Sequence, residues 1–230
     1  MEKNILNHIG LIPDGNRRWA KEKNLPLFKG HLNGLKNFIK FCMWCKDRGI
    51  KILTVFCFST ENWKRTDKEV NYLMKLFEKY LSNKKNLVRF QKNEIKVKII
   101  GQKEKLSKSL QETIINIEKL TKNNKKLYLN LAINYGGRWD ILQAIQKIIN
   151  KKINKKITED LVEQNLSTAG LLAPDLIIRT SREQRFSNFL LWQSAYSEFC
   201  FYKKYWPDFT EKDLDKILKN YNSRQRRFGK

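Results

Sequence analysis

The sequence predicts an α/β fold, a single domain over residues 1–230 whose mainly parallel central sheet is flanked by helices. Strand-like and helix-like apolar patterns alternate along the chain. The strand-like runs are apolar on both faces, as in a sheet covered on both sides, and turn signals followed by helical patterns close them. With 41% hydrophobic and 12% aromatic residues, the 230-residue chain can build one sizeable core. Neither an internal repeat nor a linker interrupts it.

The first strand is His8-Ile9-Gly10-Leu11-Ile12, stopped by Pro13-Asp14-Gly15-Asn16. Across residues 32–48, Leu35, Phe38, Ile39, Cys42 and Cys45 fall at helical spacing, and Gly49 is placed to end that helix. Residues 52–58 form a β-branched and aromatic run, a strand buried on both faces, with a loop from Ser59. Val70, Leu73, Met74, Phe77, Tyr80 and Leu81 make the face of the next helix, and residues 95–100 alternate as a strand before Gly101. A helix over 106–120, a strand over 127–133 and the turn Asn134-Tyr135-Gly136-Gly137 lead into a helix carrying Ile141, Leu142, Ile145, Ile148 and Ile149. A short helix after Thr158 and a last strand at Leu176-Ile177-Ile178 complete the series, and from sequence alone the apolar side chains of these elements suit an apolar substrate tunnel and an ordinary core equally well.

Forty-seven basic against 23 acidic residues give a net charge of +24, which points to polyanionic partners: nucleic acid, anionic lipid or phosphorylated small molecules. Lys is scattered as on a solvated surface, whereas Arg clusters in short segments, and a guanidinium fork holds phosphate bidentately. A nucleic-acid binder would interleave those cations with exposed aromatics on one face; here they accompany acids at strand ends, so no nucleic-acid partner is expected. Four Cys are too few for a disulfide scaffold, and Cys42 and Cys45 fall inside a helix, where they read as core thiols. No run approaches the ~20 apolar residues of a membrane span, nor does the N-terminus carry a secretory apolar core. A cytoplasmic protein is expected, with peripheral membrane contact through its basic surface.

Ligands of such sheets lie at the carboxyl ends of the strands, and three of these ends carry chemistry. Pro13-Asp14-Gly15-Asn16-Arg17-Arg18-Trp19 offers a carboxylate, a permissive glycine and two Arg at a helix start, although Asp-Gly-Asn is also an ordinary turn. Ser59-Thr60-Glu61-Asn62-Trp63-Lys64-Arg65 offers hydroxyls, an amide, a carboxylate and a guanidinium, and either hydroxyl is equally a helix cap. Arg179-Thr180-Ser181-Arg182-Glu183-Gln184-Arg185-Phe186-Ser187-Asn188 carries three Arg. Glu198, in an otherwise aromatic segment, needs a partner or a metal. Asp14 and Glu198 together suit a hard cation such as Mg²⁺, which takes few protein oxygens and completes its shell from water and substrate phosphates.

These segments, together with Gly30-His31, Gly34, Asn134 through Asp140, Arg179 through Trp192, and Trp206-Pro207-Asp208-Phe209, resemble the cis-prenyltransferases, in particular bacterial undecaprenyl diphosphate synthases. The resemblance runs nearly end to end. It implies a Mg²⁺-dependent enzyme that condenses isopentenyl diphosphate with farnesyl diphosphate to a long-chain, undecaprenyl product, a lipid carrier precursor for peptidoglycan. It makes Asp14 the central catalytic and metal carboxylate and Glu198 the second metal ligand. Gly15, Asn16, Arg17, Arg18 and His31 then bind the allylic diphosphate, with Trp19 a further substrate-binding residue. Asn62 takes the position assigned to proton acceptance, with Ser59, Thr60, Glu61, Trp63 and Arg65 around it. An amide is a weak base, so its role reads as positioning or relay. Arg179, Arg185 and Ser187 match the isopentenyl diphosphate site, with Phe186 a further substrate-binding residue; Arg227-Phe228-Gly229 resembles a tail that reaches a partner subunit, implying a homodimer, and reads equally as a frayed basic end. A non-catalytic partner subunit, the alternative, would lack the Asp14 or Asn62 residue types, and both are present. The chain departs from the family at Leu27, where an Arg is common, at Ser181-Arg182, where paired Gly are common, and at Pro13 and Arg17 in place of Met and Gly.

Overall fold

The computed structural model of the protein describes residues 6–151 and 156–224. In chain order it runs β1 (His8–Ile12), α1 (Asn16–Glu22), α2 (Leu27–Asp47), β2 (Ile52–Ser59), α3 (Asp67–Ser82), α4 (Lys84–Lys92), β3 (Ile95–Ile100) and α5 (Lys108–Leu120). Then follow β4 (Leu127–Tyr135), α6 (Gly137–Asn150), α7 (Glu159–Glu163), β5 (Leu176–Arg179), β6 (Glu198–Phe201) and α8 (Glu211–Asn222). The six strands form one sheet in the order β3-β4-β2-β1-β5-β6, and every pairing is parallel. That arrangement requires crossovers, which helices supply between consecutive strands from β1 to β5, whereas residues 180–197 join β5 to β6 through turns.

β1 and β5 are buried at every position, as their unbroken apolar runs foretell. On one face Phe41, Leu53, Leu110, Leu129, Ile178 and Leu214 belong to the main core; on the other Ile12, Tyr135, Ile177 and Phe189 form a second cluster. Each fully buried Leu or Phe of this kind contributes ~1.5–3 kcal/mol. Cys42 and Cys45 lie within the main core, as packing residues. Trp206 is locked there: its indole donates to the Gly34 carbonyl at 2.8 Å, and the Asn37 amide donates to the Trp206 and Phe209 carbonyls at 2.7 and 2.9 Å.

The strand at 176–179 is not the last. β6 adds a short edge strand beside it, with Leu176 opposite Glu198 and Arg179 opposite Phe201. The second helix begins at Leu27, five residues before its apolar periodicity, because Pro26 sets the first turn. α4 and α8 are further elements beyond the sequence expectation. α4 is capped by Asn83, whose side chain accepts from the amides of Lys85 and Asn86, and α8 by a Thr210/Asp213 capping box.

Candidate active site

Register carries the site to one end of the sheet. Ile12 pairs with Arg179, and Ser59 with Tyr135, so the loops after β1, β2 and β5 leave the sheet together at the carboxyl ends of their strands. The β2–β4 ladder skips Cys57 on one strand and Asn134 on the other, irregularities that redirect side chains beside the site.

Asp14 stands at the centre. Its carbonyl accepts from the Thr180 hydroxyl at 2.7 Å and the Trp206 amide at 3.0 Å, which fixes the main chain. Its carboxylate accepts from the Gly15 amide at 2.6 Å and from Arg179 Nη2 at 2.8 Å, and it lies 3.2 Å from Arg18 Nη2. Gly15 has φ +103°, and a Cβ there would lie 2.6 Å from the Tyr205 ring, so only glycine fits. Arg179 is 4% exposed and donates to Ser187 Oγ at 2.7 Å and to the Arg185 carbonyl, while its Nε finds no partner.

Glu183 extends the network, accepting from Arg18 Nη1 at 2.5 Å through one oxygen and from Arg185 through the other. Those two guanidinium groups hold its carboxyl below the usual carboxylate range, Arg18 contributing most. A second group converges on Glu69: His31 Nε2 at 3.1 Å, Arg65 Nη1 at 3.0 Å and Arg17 Nη1 at 3.8 Å. Burial lowers the His31 pKa, and Arg65 and Arg17 add to that against Glu69, so the ring is neutral at pH 7.

These side chains surround a cavity of about 840 Å³. Asp14, Gly15, Asn16, Arg17, Arg18, His31, Ser59, Asn62, Arg65, Arg179, Arg185 and Ser187 line it, all expected from sequence. Asn62 is held in place, its Oδ1 accepting from the Ser59 amide at 3.1 Å. Pro13, Asn16, His31, Cys57 and Leu73 also line an adjoining apolar recess of about 90 Å³, together with Leu35, Phe38, Val55, Phe77 and Tyr80. There Tyr80 meets Phe38 and Phe90 edge-on, each at 5.9 Å. Burial pushes the Cys57 thiol up to about 12, so it is an uncharged wall.

Other expected residues support the site from outside the cavity. Trp19 donates to Asp208 at 2.8 Å and Trp63 to Asn134 at 2.7 Å; Glu61 accepts from Asn188 at 2.9 Å; Thr60 abuts Gly136; Phe186 packs on Phe199 at 4.6 Å. Glu198 is not brought to Asp14 within the chain. It opens β6 at the amino end of the sheet, level with Leu176, and pairs with Arg224. Arg227, Phe228 and Gly229 lie outside the described residues. Glu183 and Glu69 were not expected at the site. Glu183 stands within the Arg-rich segment, so its neighbours were the available signal, whereas nothing around Glu69 in the sequence marks it.

Among the described residues no group of three or more His, Cys, Asp or Glu is placed to hold a metal. Asp14 is one carboxylate facing the cavity, sufficient for an ion that takes its remaining oxygens from phosphate and water. No helix of the described residues is long and apolar enough to cross a membrane.

The sequence profile of the family described as "Putative undecaprenyl diphosphate synthase" matches residues 12–229. The chain belongs to this family. An isoprenyl transferase of Fusobacterium nucleatum is 48% identical over 230 residues, covering 100% of this chain and 98% of that protein. The chloroplastic nerylneryl diphosphate synthase of Solanum lycopersicum is 46% identical, over 99% of this chain and 72% of its own length. Among solved structures, lavandulyl diphosphate synthase from Lavandula x intermedia in complex with dimethylallyl diphosphate superposes with a TM-score of 0.92 at 39% identity, covering 98% of both chains. A probable undecaprenyl diphosphate synthase from Campylobacter jejuni gives 0.83 at 35% identity, covering 99% of this chain and 100% of that one. The protein is therefore a prenyltransferase of the cis-prenyltransferase family.

Ser181 and Arg182 adopt φ +80° and +62°, and Ser187, Asn188 and Leu190 are also left-handed. Strain is thus concentrated in the loop that carries Glu183 and Arg185.

Proposed function

We propose that the protein extends farnesyl diphosphate by successive isopentenyl diphosphate units, each adding a cis double bond, to a long-chain, undecaprenyl product that serves as lipid carrier precursor for peptidoglycan. The observation that carries this reading is a pair of cavities of different chemistry that share five lining residues: one with guanidinium groups around Asp14, the other an apolar recess. An allylic diphosphate matches both.

Arg17, Arg18, Asn16 and neutral His31 bind the allylic diphosphate, and Arg179, Arg185 and Ser187 the diphosphate of the incoming unit. In the free protein Asp14 and Glu183 occupy the guanidinium groups of Arg18, Arg179 and Arg185, so these three are pre-positioned before phosphate arrives. As the alkene attacks the allylic carbon, negative charge grows on the departing diphosphate, where the cations already stand. Asn62, fixed by the Ser59 amide, positions the proton that the new chain loses. Mg²⁺, held by Asp14 and substrate oxygens, would neutralise diphosphate charge and favour its departure. A homodimer is supported by the edge strand β6, beside which Phe186 and Tyr196 are 44% and 76% exposed. Location in the cytoplasm, with contact at the inner membrane face, follows from the same reading, because the product is a lipid.

A shorter product is the second reading, and one observation favours it: the apolar recess measures only about 90 Å³, and Tyr80, braced by Phe38 and Phe90, is part of its wall. One assay addresses both. Purified protein is incubated with labelled isopentenyl diphosphate, farnesyl diphosphate and Mg²⁺, beside Asp14→Ala and a chelator, and products are resolved by length. A long ladder abolished by both controls supports the undecaprenyl reading; a ladder ending after a few units supports the second; no incorporation by folded protein overturns both.

A further inference from the structure

Residues 21–29, joining α1 to α2, are exposed without interruption. Four in succession, Leu25, Pro26, Leu27 and Phe28, are apolar, and Leu25, Leu27 and Phe28 retain 39%, 42% and 44% of their accessible surface. A run of four apolar residues in water contributes little to the core and calls for a functional reason. The ridge is not a loose tail. Leu27 and Phe28 open the long helix α2, the Tyr72 hydroxyl donates to the Phe28 carbonyl at 3.3 Å, and the two rings lie 6.0 Å apart.

Two further features define what the ridge meets. Leu25 and Leu27 line the rim of the cavity described above, together with Lys21, so the apolar surface is continuous with the mouth of the site. Lys21, Lys23 and Lys29 flank it, with the Lys29 ammonium 5.7 Å from the Phe28 ring centre. The acid of the segment, Glu22, is engaged by the Tyr205 hydroxyl. Apolar residues beside lysines are the composition of an element that lies in a bilayer interface.

We propose that the Leu25–Phe28 ridge is a docking surface for an anionic bilayer, seating its apolar side chains at the acyl boundary and Lys21, Lys23 and Lys29 against lipid phosphates. A second copy of this chain would bring another net charge of +24 to the same basic surface, whereas anionic lipid complements it. Docked this way, the cavity mouth opens onto the membrane. This rests on the proposed function only for its purpose, since a hydrocarbon product then passes from recess to lipid without crossing water.

The test needs no substrate, so it is separate from turnover, which is measured on the wild type in detergent. Protein is co-sedimented with phosphatidylcholine vesicles prepared with and without phosphatidylglycerol, and melting temperatures confirm that each variant is folded. Phe28→Ser is expected to weaken binding to the anionic vesicles about 5-fold, and Lys23→Gln/Lys29→Gln about tenfold or more. Lys122→Gln/Lys125→Gln removes the same charge from the loop before β4, at the opposite end of the sheet, and is expected to leave binding unchanged. No sedimentation of the wild type, or equal loss in the control pair, overturns the proposal. So does concentration-dependent self-association that Phe28→Ser abolishes while vesicle binding persists.

Discussion

Asp14→Asn removes one charge and keeps the side-chain shape, and the structure fixes the consequence for the ligand-free protein. Arg179 is 4% exposed, and its charge is balanced by Asp14 at 2.8 Å; what remains after the change is the Ser187 hydroxyl and the Arg185 carbonyl. Breaking a fully buried pair by removing one partner costs ~3–5 kcal/mol. Asp14 itself is 28% exposed, so water screens part of that, and about 2 kcal/mol is expected. At ~2–4 °C per kcal/mol for a chain of this size, the melting temperature should fall by about 4–8 °C. The assay is thermal unfolding followed by circular dichroism at neutral pH without metal, repeated with added pyrophosphate. Pyrophosphate supplies the missing negative charge, so it should raise the variant's melting temperature more than the wild type's. A variant that melts at or above the wild-type temperature would show that Arg179 does not depend on Asp14.

Four other outcomes follow from the same geometry. His8 is buried, its Nε2 is 2.8 Å from the Thr54 hydroxyl, and burial lowers its pKa to about 4; an unfolded chain takes up the proton near 6.5. Stability should therefore be complete above pH 6.5 and fall by about 3 kcal/mol as pH drops towards 4, measured by urea unfolding, with His8→Gln flattening that slope. In Gly30→Ala the new Cβ would lie 2.1 Å from the Asn16 carbonyl oxygen, forcing α1 from α2; a loss of ~1–3 kcal/mol and weaker allylic diphosphate binding by calorimetry are expected. Tyr80→Ala deepens the apolar recess, so the product distribution read by chromatography should shift to longer chains, at ~3–5 kcal/mol of stability. Arg182→Gly relieves a left-handed arginine and should raise the urea midpoint by the equivalent of about 1 kcal/mol.

Legibility from sequence tracked the range over which each feature is specified. β1, β2, β4 and β5 were visible because burial on both faces leaves unbroken apolar runs, and α3 and α5 because one buried face leaves a 3.6-residue period. β6 escaped because four half-buried residues, Glu198–Phe201, carry no period of their own and become a strand only beside β5. α4 escaped because Phe90 is its one buried side chain, although Asn83 announces its start. The polar centre of the site followed from motifs at strand ends. Resemblance alone did not separate residues that line the cavity from those that brace it: Trp63 and Glu61 serve by holding Asn134 and Asn188. Glu69 was invisible because its partners His31 and Arg17 come from α2 and α1, joined only by the fold. The Asn134-to-Asp140 motif is structural for a related reason. Asp140 is 1% exposed and accepts from Tyr135, Gln143, Gln193 and the Ser167 amide, tying α6 to the segments behind the site.

The reaction proposed for the cavity at Asp14 joins an isopentenyl unit to an allylic diphosphate. A single-turnover reaction of the purified protein with farnesyl diphosphate, one equivalent of labelled isopentenyl diphosphate and Mg²⁺ tests it most directly. Released pyrophosphate is counted and the geometry of the new double bond is read by NMR. One pyrophosphate per condensation and a cis double bond are expected, with both signals lost in Asp14→Ala. A trans product, or unimpaired condensation by Asp14→Ala, would contradict it.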